Sequence, residues 1–388
     1  MASDPLDWID DKLATLERSG LRRRLATRLG PQRVLLEPRD ERPLVNFGSN
    51  DYLGLAAQRL GTAIRRSLDQ TGWGSGASPL VTGRGEWHAR LERELAAFEG
   101  AAAALLFPSG FAANFSTLAA LIGPRDAVFG DARNHASILD GCRLSGARWF
   151  TYPHGDAAAL SRQLEQSPGF RRRLIVTDTL FSMDGDLAPL AELAELAERF
   201  GAMLMVDEAH ATGVFGAGGR GVCEAAGVER AVHVRVGTLS KALGSIGGFV
   251  VGEARLIEWL ANRARAYVFS TASPEAAAAA GLEALKVVQE EPQRRQGLLQ
   301  RAAELRQRLQ DQGWSTGESV SQIVPVIVGR ASAAVETAAA LRRRGLLVPA
   351  IRPPSVPRGR ALLRISLSSA HTPQQIEQLV AAFRELRA

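Results

Sequence analysis

Along the chain, short and almost wholly apolar runs alternate with longer stretches in which leucine and alanine return every three or four positions. "AALLFPSG", "DAVFGD", "RLIVTD", "AMLMVD", "HVRVGT" and "GGFVVG" are too short to be helices and too apolar to lie in solvent, so each predicts a short buried strand. Between them, "FAANFSTLAALIG" and "LAPLAELAELAERFG" carry the spacing of a helix with one apolar stripe, and the second closes on a glycine just past its end. Buried strands joined by helical crossovers predict an α/β fold with a largely parallel sheet.

The texture changes after "FSTASPEAAAAAGLEALKVVQEE", where a long helical stretch runs on to "QDQG" and gives way to "IVPVIVG", the helix "SAAVETAAALRRRG", the extended "ALLRISLSS" and a last helix. At 388 residues the chain exceeds one ordinary core. The expected division is an N-terminal helical arm over 1–45, a large domain over 46–275, and a smaller α+β C-terminal domain over 276–388. No internal repeat is evident.

With 46% apolar and 23% charged residues, the composition is that of a globular protein rather than a disordered one. The early acids of "MASDPLDWIDDK", the lack of an apolar leader and the absence of any long apolar run point to a cytoplasmic protein with no membrane partner. Cys142 and Cys223 stand alone, without the paired spacing of a metal or disulfide site, and no metal is expected. The net charge of +6 would suit nucleic acid if it were clustered. The arginines of "LRRRLATR", "FRRRL" and "ALRRRG" are instead dispersed and interrupted by leucines, with no aromatic platform, so a solvated face is the plainer reading and no nucleic-acid partner is expected.

In open α/β sheets, ligands gather where the strands end, and several strand ends here carry reactive groups. "AMLMVDEAH" ends on Asp207, with His210 three residues on; "HVRVGTLSK" ends on Thr238 and is followed by Lys241. "RLIVTDTLFSMDGD" carries Ser182, "FGDARNHAS" carries His135, and "LLFPSGFAAN" places Gly110 and Phe111 at a turn opening a helix. Singly, each has a bland explanation: an N-cap, a core histidine, a turn hydroxyl, a surface lysine. Together they form a set with one chemistry. A helix N-terminus offers backbone N–H groups and a positive dipole to a phosphate, and a strand-end carboxylate keeps a pyridine nitrogen protonated. Lys241 is one of only three lysines among 47 basic residues, and lysine, unlike arginine, forms an imine. Phosphate donors, an acid for a ring nitrogen and an imine-forming amine together fit pyridoxal 5′-phosphate.

"TLSKALG", "VDEAHATGVFG", "FSMDGD", "LLFPSGFAAN" and "SNDYLGL" resemble the fold-type I pyridoxal-phosphate enzymes and, within them, the α-oxoamine synthases, over nearly the whole chain. The resemblance implies a fold-type I, aminotransferase-like large domain. Lys241 would hold the cofactor, Asp207 would pair with the pyridine nitrogen, His210 would bond the ring hydroxyl and His135 would stack on the ring. Ser182 and Thr238 would orient the cofactor, and the backbones of Gly110 and Phe111 would take the phosphate. The family forms homodimers with the site at the interface, so Ser270 and Thr271 would reach the phosphate from the partner subunit. Its members join an amino acid to an acyl-CoA with loss of carbon dioxide. "FGSNDYLGL" and "PAIRPPSVPRGRALLRISLSSAH" favour L-alanine and pimeloyl-CoA as substrates, with glycine and acetyl-CoA the runner-up. On the substrate side the likeness suggests Arg22, Asn50, Ser78, Arg352 and Ser355. For Arg22 a solvated helix end, for Arg352 a structural salt bridge, and for Asn50 and Ser78 a turn or cap are the competing readings.

A rival class comes from "GAGGRG", Gly216 to Gly221, which satisfies the G-x-G-x-x-G pattern of a nicotinamide-dinucleotide dehydrogenase. Its context is wrong for that role, because it lies well past the strand end at Asp207 and does not join a strand directly to a helix.

Overall fold

The computed structural model describes residues 4–58 and 61–387. The chain forms two compact units. The larger comprises Asn50–Ser182 and Asp186–Leu298; the smaller takes the chain up to Ser49, Met183–Gly185 and everything from Leu299 onward.

The larger unit is built on a seven-stranded sheet. Its strands are β1 (Ala103–Phe107), β2 (Ala127–Asp131), β3 (Arg148–Tyr152), β4 (Arg173–Asp178), β5 (Met203–Asp207), β6 (Val234–Thr238) and β7 (Gly248–Gly252), in the spatial order β1-β7-β6-β5-β4-β2-β3. All neighbours are parallel except β7, which runs antiparallel to both β1 and β6. Helices α1 (Gly110–Leu121), α2 (Ala136–Ser145), α3 (Ala157–Glu165) and α4 (Leu190–Arg199) connect the strands. Val128, Leu174, Val176, Met205, Val236 and Val250 of the sheet are buried with Leu118 of α1 and Ile138 of α2. Close approach requires glycine at two places: a Cβ on Gly237 would enter the Phe249 ring at 2.2 Å, and one on Gly141 would meet Leu118 and the Phe115 backbone where α2 crosses α1.

Register brings the functional candidates to one edge of this sheet. Asp178 pairs with Asp207 across β4 and β5, Thr238 pairs with Gly248, and Gly248 pairs with Phe107. The carboxyl ends of β1, β4, β5 and β6 and the start of β7 therefore share one rim.

Three expectations need correcting. Strand β3, "RWFTY", escaped the pattern because it is an edge strand whose first four residues are exposed or half-buried, so it lacks the apolar run of its neighbours. The change of texture near residue 275 marks the start of a helix, not the end of the larger unit. Glu275–Glu290 buries Ala276, Ala279, Leu282 and Leu285, and the Glu275 carboxylate accepts the Trp87 N–H at 2.9 Å, which ties the helix to the larger unit as far as Leu298. Finally, among the described residues the segment expected as a helical arm over 1–45 holds one helix, Asp7–Arg18, followed by the short strands Arg28–Leu29, Leu35–Pro38 and Leu44–Asn46. The last of these, Leu44–Asn46, pairs in parallel with Leu346–Leu347, so long-range pairing makes this segment part of the smaller unit's sheet structure.

In the smaller unit, Ile323–Gly329, Ala361–Ser366 and Ala350–Ile351 form an antiparallel sheet accompanied by the helices Ala331–Arg343 and Pro373–Glu385. The second of these begins with a capping box in which Thr372 and Gln375 bond each other's backbone. Among the described residues no helix is long and apolar enough to cross a membrane.

Candidate active site

Asp207 ends β5 with its side chain buried, and both carboxylate oxygens are held: Oδ1 accepts the Ala209 N–H at 2.7 Å and Oδ2 accepts Asn114 Nδ2 at 2.6 Å. Three residues on, His210 is buried in the following turn, where its Nδ1 lies 2.6 Å from the Tyr52 hydroxyl. That hydroxyl also lies 3.2 Å from Asn50 Oδ1, so "SND" and "DEAH", remote in sequence, meet through a tyrosine. Lys241 follows the end of β6 in a turn and is half-buried. Its ammonium acts electrostatically on both His135 and Asp178, which places it with the Asp207 group.

His135 sits at the N-cap of α2. Its backbone N–H donates to Asp178 Oδ2 at 2.7 Å, and its Nδ1 meets the Ser137 hydroxyl at 2.8 Å. Burial lowers the His135 pKa; Asp207 pulls it up, and Lys241 pushes it down again. Asp178 is raised well above the usual carboxylate range, because burial and the neighbouring Asp207 charge both disfavour its ionised form.

At the rim of β1 and β6, Ser109 caps α1 by accepting the Ala112 N–H at 3.1 Å. The first-turn N–H groups of Gly110 and Phe111 have no intrahelical acceptor. Thr238 Oγ1 lies 2.7 Å from Ser240 Oγ and donates to the Gly247 carbonyl at 2.8 Å. A Cβ built on Gly110 would lie 3.5 Å from Thr238 Oγ1, and one on Gly248 would lie 2.6 Å from the Gly110 nitrogen. The glycines thus let the start of α1 approach the ends of β6 and β7 closely, gathering N–H and O–H groups, the chemistry a phosphate needs.

Ser182 lies in the turn closed by the bridge between Leu180 and Leu187. His154 fastens this turn, with Nδ1 3.0 Å from Asp131 and Nε2 2.7 Å from Asp186, and its ring stands edge-on to Phe181 at 4.4 Å. Burial alone would lower the His154 pKa, but the two carboxylates outweigh it and raise the value to about 9.

The remaining candidates have other surroundings. Ser78 precedes a wide turn and accepts the Val81 and Gly83 N–H groups with its backbone carbonyl. Ser270 and Thr271 follow a short helix and line a hollow with Phe107, Pro108, Ile246 and Tyr267. In the smaller unit, Arg22 is exposed and 3.5 Å from Glu17, and the Arg352 guanidinium donates to the Gly20 carbonyl rather than to a carboxylate partner. Ser355 is exposed, its N–H bonded to the Arg352 carbonyl at 3.1 Å.

The "GAGGRG" stretch forms a loop folded around two carboxylates. Glu224 takes the Gly218 and Arg220 N–H groups, and Glu208 takes those of Val222 and Cys223. The amides of Gly218, Gly219, Arg220 and Gly221 are therefore already bonded within the protein rather than offered to a pyrophosphate.

Sequence reasoning missed Asn114, Ser137 and Asp178, and did not single out Tyr52. The sequence offered one signal for Asn114, an amide on a mostly apolar helix, and the structure shows it buried. Such a group must find a partner, and its partner is Asp207.

The aminotransferase class I and II family model matches residues 42–383. The chain belongs to this family. Its relatives include the 8-amino-7-oxononanoate synthase of Anaeromyxobacter dehalogenans strain 2CP-1, 50% identical over 383 residues, which cover 98% of this chain and 96% of the relative. The synthase of Alkalilimnicola ehrlichii is 49% identical over 349 residues, 89% of each chain. Among solved structures, the chain is similar to a serine palmitoyltransferase of S. paucimobilis with a bound PLP–myriocin aldimine, at a TM-score of 0.93 and 31% identity over 98% of each chain. It is also similar to an 8-amino-7-oxononanoate synthase of Francisella tularensis, at a TM-score of 0.75 and 29% identity over 88% of this chain and 97% of that one. This member of the aminotransferase class I and II family is a pyridoxal-phosphate-dependent acyltransferase. Its residues fit the cofactor: an anchored carboxylate with lone pairs to spare, a lysine within reach of the same group electrostatically, and a glycine-cleared helix start.

Proposed function

We propose that the chain condenses L-alanine with pimeloyl-CoA to give 8-amino-7-oxononanoate, coenzyme A and carbon dioxide, a step of biotin biosynthesis, as a cytoplasmic homodimer with its site at the interface. The observation that carries this reading is the 50% identity, over 98% of the chain, to a protein named for that product. The higher TM-score of the serine palmitoyltransferase is a statement about backbone shape at 31% identity, and it does not outweigh the sequence.

Pyridoxal phosphate, when bound, supplies an electron sink that stabilises negative charge on the amino-acid Cα. The chain's own residues do the rest. Lys241 Nζ holds the cofactor, takes the Cα proton of alanine once released, and returns a proton to the product. Asp207, anchored through both oxygens, would keep a fixed negative charge for the ring nitrogen, and His210, braced by Tyr52, would be the partner of the ring hydroxyl. His135 would lie against the ring, while Thr238 and Ser182 would orient it. Gly110 and Phe111 offer N–H groups to the phosphate, joined by Ser270 of the partner subunit and Thr271 of the partner subunit. Arg22, Asn50, Ser78, Arg352 and Ser355 are the proposed contacts for the substrates.

The test is a spectral titration of the purified holoenzyme with alanine, glycine and serine, followed by pimeloyl-CoA, acetyl-CoA and palmitoyl-CoA, with product mass read at the end. Alanine with pimeloyl-CoA should give the largest kcat/KM. Preference for glycine with acetyl-CoA, or serine with palmitoyl-CoA, would overturn the assignment of substrates.

A further inference from the structure

We propose that Asn114 and Ser137 are positioning residues that lock His135 as the neutral tautomer with its proton on Nε2, so that the ring nitrogen left for a ligand is a hydrogen-bond donor. A chain of hydrogen bonds runs from Asp207 through these two side chains to His135. Asn114 Nδ2 donates to Asp207 Oδ2 at 2.6 Å and to Ser137 Oγ at 2.9 Å. The carboxylate fixes which way the amide points, because turning Asn114 over would set its carbonyl oxygen against Asp207. With one lone pair of Ser137 Oγ filled by Asn114, the remaining short contact of that hydroxyl is to His135 Nδ1 at 2.8 Å. Its proton has no other acceptor among the described residues and goes to Nδ1.

The backbone points the same way independently. The Ser137 N–H is directed at His135 Nδ1 at 3.3 Å, the contact by which His135 caps α2. An amide N–H only donates, so this contact favours a lone pair on Nδ1, but at 3.3 Å it is the longer of the two and the hydroxyl at 2.8 Å is the one that fixes the ring proton on Nε2. A cap at a helix start also places the ring at the positive end of the helix dipole, which disfavours imidazolium. The charged groups acting on the ring are Lys241, which favours the neutral form, and Asp207 and Asp140, which oppose it; Asp178 is engaged with the backbone N–H of His135.

A neutral Nε2–H donor orients and stabilises a carboxylate or keto oxygen without surrendering a proton to it. Its other nitrogen is already occupied, so His135 does not compete with Lys241 for the Cα proton. Only this consequence rests on the proposed condensation; the tautomer is a property of the protein and is measured without substrate.

The experiment is heteronuclear NMR of holoenzyme carrying 15N-labelled histidine. The chain has six histidines, and a His135→Gln variant identifies the resonances of interest by their disappearance. Wild type should show an unprotonated Nδ1 and a protonated Nε2 across about pH 6 to 8, the range where an ordinary histidine titrates. Ser137→Ala, which leaves only the longer backbone contact on Nδ1, should raise the share of the Nδ1-protonated tautomer and raise the proton affinity of His135 by about 3- to 10-fold, the worth of one neutral hydrogen bond. Asn114→Ala, which frees the serine hydroxyl to rotate, should also mix the tautomers, and it serves if Ser137→Ala does not fold. A protonated Nδ1 in the wild type, or an unchanged tautomer ratio in whichever variant folds, would overturn the proposal. Failure of the substrate assignment would leave these spectra as they are.

Discussion

Forty-four of the 47 basic residues could be arginine because a surface charge asks only for a cation; position 241 asks for an amine that can bond carbon. Lys241→Arg keeps the charge that acts on His135 and Asp178 but removes the nucleophile. We expect turnover to fall at least about 10³-fold, consistent with loss of the covalent link and of the base together. Mass spectrometry after borohydride treatment should then find no cofactor attached, with unchanged far-UV circular dichroism; retained turnover would remove Lys241 from the site. Asp207→Asn separates charge from shape. At 4 Å a unit charge pair is worth about 4 kcal/mol at an effective dielectric of 20, so its loss should lower kcat about 10²- to 10³-fold while the fold is kept. A variant with wild-type kcat would mean that the carboxylate serves only the Ala209 and Asn114 contacts.

At the scale of elements, the turn that carries Ser182 depends on His154, wedged between Asp131 at the end of β2 and Asp186. The folded pKa of His154 is about 9 against an ordinary 6.5, so the folded state holds a proton that the unfolded chain gives up first. Its pairing therefore contributes fully below about pH 6.5 and is lost as pH rises through about 9. Thermal unfolding midpoints should fall across that window by an amount corresponding to about 3 kcal/mol, and His154→Gln should flatten this part of the profile. A variant with the same pH dependence as wild type would place the titrating group elsewhere. The strands β1, β4, β5, β6 and β7 and the residues on their ends were legible in sequence for a common reason: a buried strand is apolar until it stops, so the polar residue that stops it stands out. Partners drawn from elsewhere were not legible. Asn114 and Asp207 are separated by 93 positions, and Tyr52 and His210 by 158, and nothing in local pattern announces such pairs. The edge strand β3 and the continuation of the larger unit to Leu298 escaped for the related reason that pairing and helix packing, not local periodicity, define them.

At the scale of the whole molecule, the larger unit leaves several large apolar side chains exposed. Val81, Ile246 and Phe269 are 74%, 59% and 70% exposed, and Leu80 beside Val81 is 53% exposed. Ile246 lines the same hollow as Ser270 and Thr271, and Phe269 directly precedes them. Single exposed hydrophobics are ordinary, but Ile246 on the hollow that adjoins Pro108 and Gly247, with Phe269 next to its lining residues Ser270 and Thr271 in sequence, is what an interface beside a site would use. Under the proposed homodimer, covering Phe269 should contribute as a buried aromatic anchor does, on the order of 2–4 kcal/mol. Phe269→Glu should therefore weaken association about 30- to 1,000-fold, so that light scattering after size exclusion finds monomer at micromolar concentration. Because Ser270 and Thr271 would then no longer reach the neighbouring site, cofactor retention on desalting should fall with dimer content, and both should recover together at high protein concentration. A monomeric variant that keeps its cofactor and full turnover would show that each chain completes its own site.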